Sequence, residues 1–443
     1  MLFVDFINRI NTVFSDNVLI FLLLGAGIYF TFKSRFVQIR CLGEGIKNTF
    51  SGLREDEKNE GVSPFAALAT SLAAQLGTGN IVGAGAAVIT GGPGAVFWMW
   101  VSAFFGMATA YYEAYFAIKS REIKDGEIRG GAAYYINEAF TGRKGRLIAS
   151  LFSLFATVGL GFTGVAVQSN SIAVSLREAL NIPVIVTGTV ITIVSGIIIF
   201  SGTKAVTKIS EKTVPLMAFL YVGACVLVLI LNIEKIPAAF SLIFRSAFSA
   251  DALTGCILGL TLKTTLSQGV KRGLFTNEAG MGSSPAAHAL SAAPSPHYQG
   301  TLGIAGVFTD TFVMLSLTAL CVIIALFVPV SGDFSSLTGS DAATLSFAVL
   351  LGKRGAAVFI ALSVLFFAFA SVLGWNLYGK SSCTYLFGEN SEKIYIISSL
   401  AFVFFGAVMT PSLAWGITDF MNTLMVITNI PALIMLVKRD SRT

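Results

Sequence analysis

Apolar runs close to the length of a bilayer alternate with short polar segments along nearly the whole chain. A helix rising 1.5 Å per residue needs about 20 apolar residues to cross the hydrocarbon core. Stretches of or near this length lie at about 17–32, 64–90, 94–118, 147–174, 183–201, 213–233, 299–330, 355–379, 394–410 and 411–436. With an interrupted apolar segment at 255–290, the pattern predicts about eleven spans. The first is short, but Asp5 and Asp16 spoil the basic flank of a signal peptide and no small-residue cleavage pattern follows. It reads as a retained helix. Two segments break the pattern from within: Leu76-Gly-Thr-Gly-Asn-Ile-Val-Gly83 and Leu274-Phe-Thr-Asn-Glu-Ala-Gly-Met-Gly-Ser-Ser284. Lipid offers no hydrogen-bond partners, so unwound backbone at membrane depth must be buried in protein or line a wet cavity. Interrupted helices at corresponding positions of two halves are a sequence pointer to a transporter's binding site.

The breaks also suggest a repeat. Aligning Asn80 with Asn277 offsets the halves by 197 residues, with five spans at 64–233 and five at 255–436. Five is odd, so successive units must insert with opposite orientation, the arithmetic of a 5+5 inverted repeat. The predicted fold is an all-α membrane protein of about eleven transmembrane helices. Residues 1–63 form an extra N-terminal helix and a basic segment, 64–233 the first five-helix repeat, and 234–443 the second with a C-terminal tail. Of the longer loops, 33–63 and 119–146, the latter contains an expected interfacial helix at 130–140.

Composition agrees: 54% of residues are hydrophobic and 12% charged, with a mean hydropathy of +0.77, against roughly 25% charged in soluble domains. Lys and Arg set the orientation. If the loop after the first span is cytoplasmic, 21 basic residues lie inside, including Lys33, Arg121, Lys208, Lys380 and Arg439, against six outside: Arg9, Arg177, Lys235, Arg245, Lys353 and Arg354. The N-terminus is then outside and the C-terminus in the cytoplasm of a multi-pass plasma-membrane protein. The net charge of +6 follows from this bias at the lipid surface and gives no case for nucleic acid. The five cysteines are odd in number, lack CxxC spacing and mostly sit in apolar helices. Only His288 and His297 exist, little material for a His-based triad or multi-His metal centre; both read as polar residues at a cytoplasmic helix end.

Unwinding a helix frees N–H and C=O groups on either side of the break. N–H groups at a half-helix N-terminus suit a carboxylate, and carbonyls at the preceding C-terminus suit Na+ or an ammonium. Glycine is also common where transmembrane helices cross, and the Gly-Ala-Gly-Ala-Ala run from Gly83 reads as such packing. Close packing does not require the polar groups of Thr78-Gly79-Asn80 and Thr276-Asn277-Glu278, which favour a site. Gln75 precedes the first break. Gln168 lies mid-span as a pocket residue or as interhelical glue. Ser371 and Trp375 share one helix face by their i, i+4 spacing, with Trp375 either a wall of the pocket or simple packing. Intramembrane acids are expensive: Glu113 reads as snorkelling or paired, and Asp310 and Asp419 as structural or ion-coupling.

Gly91-Gly-Pro-Gly-Ala-Val-Phe-Trp-Met-Trp-Val-Ser-Ala-Phe-Phe-Gly106 resembles the signature stretch of the alanine or glycine:cation symporters, the sodium:alanine symporter family. Gly77–Gly83, Gly273–Gly282 and Phe369–Trp375 resemble its other characteristic segments. The resemblance implies a leucine-transporter-type fold with one extra N-terminal helix and sodium-driven, occasionally proton-driven, uptake of glycine and alanine. It implies that Thr78, Gly79 and Asn80 with Phe275, Thr276 and Asn277 surround the amino acid, that Gln168, Ser371 and Trp375 complete the pocket, for which Gln75 is a candidate by its position alone, and that carbonyls of Ala73, Leu76 and Phe367 with the Ser371 hydroxyl hold Na+. Ala370 stands where relatives often carry a second hydroxyl, which bears on the choice of coupling ion, Na+ or H+.

The expected function is sodium-coupled import of small neutral amino acids by alternating access. A proton-coupled transporter of the same substrates and a passive channel built on carbonyls are the alternatives. With no catalytic residues and no nucleophile–base pair, an enzyme is the least favoured class, and a non-transporting sensor would lack an attached signalling domain.

Overall fold

The computed structural model describes residues 18–51, 61–124, 127–248, 262–328, 334 and 336–440. Helix α1 (Ile20–Lys33) leads through α2 (Val37–Arg40) and α3 (Leu42–Ser51) to α4 (Pro64–Gln75). Ser63 starts α4 by accepting a hydrogen bond from the Ala66 N–H, with Pro64 at the first helical position, where its missing N–H is not needed. After α5 (Val82–Gly91) and α6 (Gly94–Lys119), a hairpin of β1 (Glu122–Lys124) and β2 (Glu127–Arg129) pairs Ile123 with Ile128. The hairpin was not foreseen from the hydropathy pattern. Helix α7 (Ala132–Ala139) occupies the stretch expected to be interfacial, yet Tyr135 and Ile136 on it are fully buried. Helices α8 (Gly142–Val158) and α9 (Val165–Leu180) join through a π-helical segment, Gly159–Gly164, and α10 (Val184–Phe200), α11 (Thr203–Leu231) and α12 (Ile236–Phe248) follow.

In the second half, α13 (Leu262–Asn277) and the short α14 (Pro285–His288) flank the second break. Helix α15 (Pro296–Val307) continues through a π segment, Phe308–Leu315, into α16 (Ser316–Leu326). Helix α17 (Gly339–Phe387) opens on a capping box of Thr338 and Asp341 and bends at Gly352, whose φ of 68° only glycine adopts readily. Helices α18 (Glu392–Val408) and α19 (Pro411–Asp440) complete the chain.

Among the described residues, seven helical stretches are long and apolar enough to cross a membrane, and α1, α5 and α10 are shorter apolar helices. The predicted hydrophobic stretches fall on these helices or on the broken pairs α4–α5 and α13–α14; residues 255–261 lie outside the described residues. The outward faces are apolar: Ile197 is 66% exposed on α10, Phe219 76% on α11 and Ile394 70% on α18. Such a belt suits lipid. By contrast all twelve residues of α4 are buried, packed against α11 and α17, and α6 packs against α13 and α15. The broken helices thus lie in the protein interior, where unwound backbone can be satisfied.

Candidate functional site between the two broken helices

The first break is short. Helix α4 ends when the Leu76 N–H bonds to the Leu72 carbonyl; Gly77 turns the chain away, Thr78–Asn80 make one 3-10 turn, and α5 restarts at Val82. Glycine is required at two points by close approach. A Cβ on Gly77 would lie 2.6 Å from Ser371 Oγ and 3.1 Å from the Gln168 amide, and one on Gly79 would lie 2.6 Å from Thr276 Cγ2.

Oxygen atoms gather beside this break. The Ser371 hydroxyl lies 2.8 Å from the Ala73 carbonyl, 3.0 Å from that of Ala74 and 3.3 Å from that of Phe367. Its single hydrogen can serve only one of them. Three carbonyls and a hydroxyl in a buried spot are the hard-oxygen set that suits a small cation. Ala73, Phe367 and Ser371 from the expected ligand set are thus together, and Ala74 adds a carbonyl that sequence reasoning missed. Leu76 is buried at the end of α4, and Ala370, also buried, brings no side-chain oxygen.

Several polar atoms here have no hydrogen-bond partner although buried: Gln75 Oε1, Thr78 Oγ1, Asn80 Oδ1 and Gln168 Nε2. Each such atom costs about 1–3 kcal/mol if nothing meets it. Gln168 is nonetheless tied to the break, its Oε1 accepting from the Thr78 N–H at 3.3 Å.

The second break is longer and differently made. Glu278, Gly280 and Gly282 have φ of 55°, 92° and 75°, and the Gly280 and Gly282 N–H groups point to one acceptor. Glu113, fully buried on α6, accepts from the Gly280 N–H at 3.1 Å, from the Gly282 N–H at 2.8 Å and from the Asn429 side chain at 2.8 Å. Asn429 in turn donates to the Gly280 carbonyl and accepts from Tyr135. Glu113 is therefore paired rather than snorkelling. The Thr276 hydroxyl donates back to its own helix, with the Arg272 and Gly273 carbonyls at 2.7 and 3.0 Å, which leaves its methyl toward Gly79. Asn277 accepts from the Ala279 N–H and donates to Thr311.

Two links join the breaks. One runs from Asn80 Nδ2 to Asp310 Oδ1 at 2.6 Å, from Thr311 Oγ1 to Asp310 Oδ2 at 2.9 Å, and from Asn277 Nδ2 to Thr311 Oγ1 at 3.3 Å. Asp310 thus sits between them, on the π segment of α15–α16. The other is α17. Ser371 faces the first break, while one turn later Trp375 donates its indole N–H to Glu278 at 2.6 Å, and Glu278 also accepts from Ser283. Trp375 is 1% exposed and meets Phe275 edge-on at 5.9 Å. Gly164 lets the indole approach the other π segment, since a Cβ there would lie 2.7 Å from Trp375 Cε3.

Asp419 has no part in these two links and faces a cavity that borders the second break at Leu274, Phe275 and Met281. With Lys271, Arg272, Phe275 and Asn422 it lines this cavity of about 110 Å³. Arg272 stands over the Trp415 ring at 5.5 Å, and Trp415 packs on Phe275 at 4.8 Å.

A membrane interior with two interrupted helices, a converging oxygen cluster and orphaned polar atoms has the character of a solute-binding site. Residues 1–442 match the sodium:alanine symporter family. The chain belongs to this family. Among its relatives, the sodium/alanine symporter AgcS of Methanococcus maripaludis is 39% identical over 437 residues, covering 98% of this chain and 95% of the relative. The probable sodium/glutamine symporter GlnT of Bacillus subtilis is 37% identical over 434 residues, covering 97% and 87%. A putative sodium/proton-dependent alanine carrier, YrbD, also of Bacillus subtilis, is 35% identical over 456 residues, covering 98% and 90%. This symporter is therefore a multi-pass membrane transporter of amino acids and not an enzyme.

The site was partly hidden from sequence reasoning. Glu113, Asn429 and Tyr135 come together from positions far apart in the chain and carry no motif. Trp415 is one of four tryptophans, with nothing local to mark it.

Proposed function

We propose that the protein is a sodium-coupled symporter that imports small neutral amino acids, alanine and glycine, by alternating access. Two five-helix units related as an inverted repeat would rock about the buried breaks, with the N-terminus outside and the C-terminus in the cytoplasm. The observation that carries this reading is the convergence of the Ala73, Ala74 and Phe367 carbonyls on the Ser371 hydroxyl. In this reading Na+ takes those oxygens, with Leu76 completing the backbone ligands. The amino acid lies between Thr78-Gly79-Asn80 and Phe275-Thr276-Asn277, where Gln75, Thr78 and Gln168 have atoms to offer it. Trp375, held by Glu278, bounds the space for its side chain. Ion and substrate then stabilise each other's site, a reciprocal coupling.

A proton-driven version of the same transport is the second reading. Ala370 leaves the oxygen cluster with one side-chain hydroxyl, and one relative carries a sodium/proton-dependent name. Uptake of labelled alanine and glycine into proteoliposomes separates the two. Accumulation is expected under an inward sodium gradient without a proton gradient; accumulation only under an inward proton gradient would replace the first reading by the second.

A further inference from the structure

At the face that the charge bias assigns to the cytoplasm, Cys41, Glu44 and His297 bring a thiol, a carboxylate oxygen and an imidazole nitrogen within 4.8 Å of one another. They come from three places: Cys41 ends α2, Glu44 lies in the first turn of α3, and His297 follows Pro296 at the start of α15. No spacing rule joins them, since His297 is remote in sequence. His297 Nε2 lies 3.4 Å from Glu44 Oε2, and its other nitrogen, Nδ1, is hydrogen bonded to the Tyr111 hydroxyl at 2.8 Å. Anchoring of the second ring nitrogen is what orients histidine ligands at metal sites.

The frame around the three groups is fixed. Gly45 lies so close to α15 that a Cβ would stand 2.3 Å from the Thr301 carbonyl. Asn48 donates to Thr301 at 2.9 Å, and Tyr298 donates to the Asn48 carbonyl at 3.1 Å. The Glu44 and His297 side chains are 45% and 46% exposed, so an ion can reach them, while Cys41 is 9% exposed. A half-exposed His–Glu pair by itself contributes little, and a buried cysteine is commonly a small apolar filler. What sets this place apart is a sulfur, a nitrogen and an oxygen of the types Zn2+ accepts, converging on a pre-set frame.

We infer that Cys41, Glu44 and His297 form a Zn2+-class site, with three protein ligands and a fourth position open to water. Cys41 would bind such an ion as the thiolate, so metal entry releases the thiol proton. Occupancy would fasten the segment between α1 and the first broken helix to the start of α15.

Titration of the full-length purified transporter with Co2+, used as a spectroscopic stand-in for Zn2+, tests this. One equivalent should produce the near-ultraviolet thiolate-to-cobalt band, and Zn2+ should abolish it. Cys41→Ser should lose the band while alanine uptake stays unchanged, and Tyr111→Phe, which keeps the ring but frees Nδ1, should weaken binding about tenfold. If Cys41→Ser folds poorly, Glu44→Gln serves instead, with at least tenfold weaker Co2+ binding expected. Absence of the thiolate band in the wild-type protein, or its persistence in Cys41→Ser, would overturn the assignment.

Discussion

The two broken helices look alike in sequence but differ in how their buried polar groups are satisfied. Around the first, polar atoms of Gln75, Thr78, Asn80 and Gln168 are buried without partners, and three carbonyls crowd one hydroxyl. Around the second, nearly every polar group has a protein partner: Glu113 takes the Gly280 and Gly282 N–H groups, Glu278 takes Ser283 and Trp375, and Thr276 bonds to its own helix. Buried polar groups are stable when satisfied and costly when not. In the proposed function this difference makes the first break the place for a ligand and the second the support for walls around it.

The largest effect that would test this contrast is on folding. Glu113→Ala leaves two buried N–H groups without their acceptor, a loss of about 2–6 kcal/mol. We expect a marked fall in thermal stability in detergent, with any folded fraction keeping its sodium dependence; a stable protein with altered sodium dependence would move Glu113 into the binding machinery. Next comes Ser371→Ala, which removes the only side-chain oxygen of the cluster. Apparent Na+ affinity in alanine uptake should fall roughly 10–100-fold, the range for a lost bond to a charged group, with little change in stability. Trp375→Ala should shift selectivity toward larger side chains such as glutamine by roughly tenfold, measured as competition with labelled alanine. Unchanged competition would show that Trp375 is packing and not a wall. The smallest change is expected for Thr276→Val: uptake altered by roughly threefold or less, because the hydroxyl is already bonded back to the carbonyls of its own helix.

The positions of the breaks were legible because glycine and polar residues interrupt apolar runs, and lipid cannot tolerate unwound backbone. Ser371 and Trp375 were legible as one helix face, but not that one turn of α17 separates contact with the first break from contact with the second. Thr276 and Asn277 were legible as polar residues in a break; where their hydrogen bonds go depends on helix geometry and on Thr311, which sequence does not reveal. Asp310 was recognisable as a costly acid, while its bond to Asn80 spans 230 residues. The π segments at Gly159–Gly164 and Phe308–Leu315 leave no hydropathy signal, since one extra residue in a turn does not change the apolar count. The capping box of Thr338 and Asp341 and the Ser63-Pro64 start of α4 are the part that local sequence does specify.

The central claim, that the first break with Ser371 binds the ion while the second is a scaffold, is tested most directly by alanine binding to the purified protein as a function of Na+ concentration. Wild type, Ser371→Ala and Thr276→Val should be compared side by side. The account predicts that Ser371→Ala shifts the sodium dependence at least tenfold while Thr276→Val stays within about threefold of wild type. A large shift in Thr276→Val with none in Ser371→Ala would contradict it.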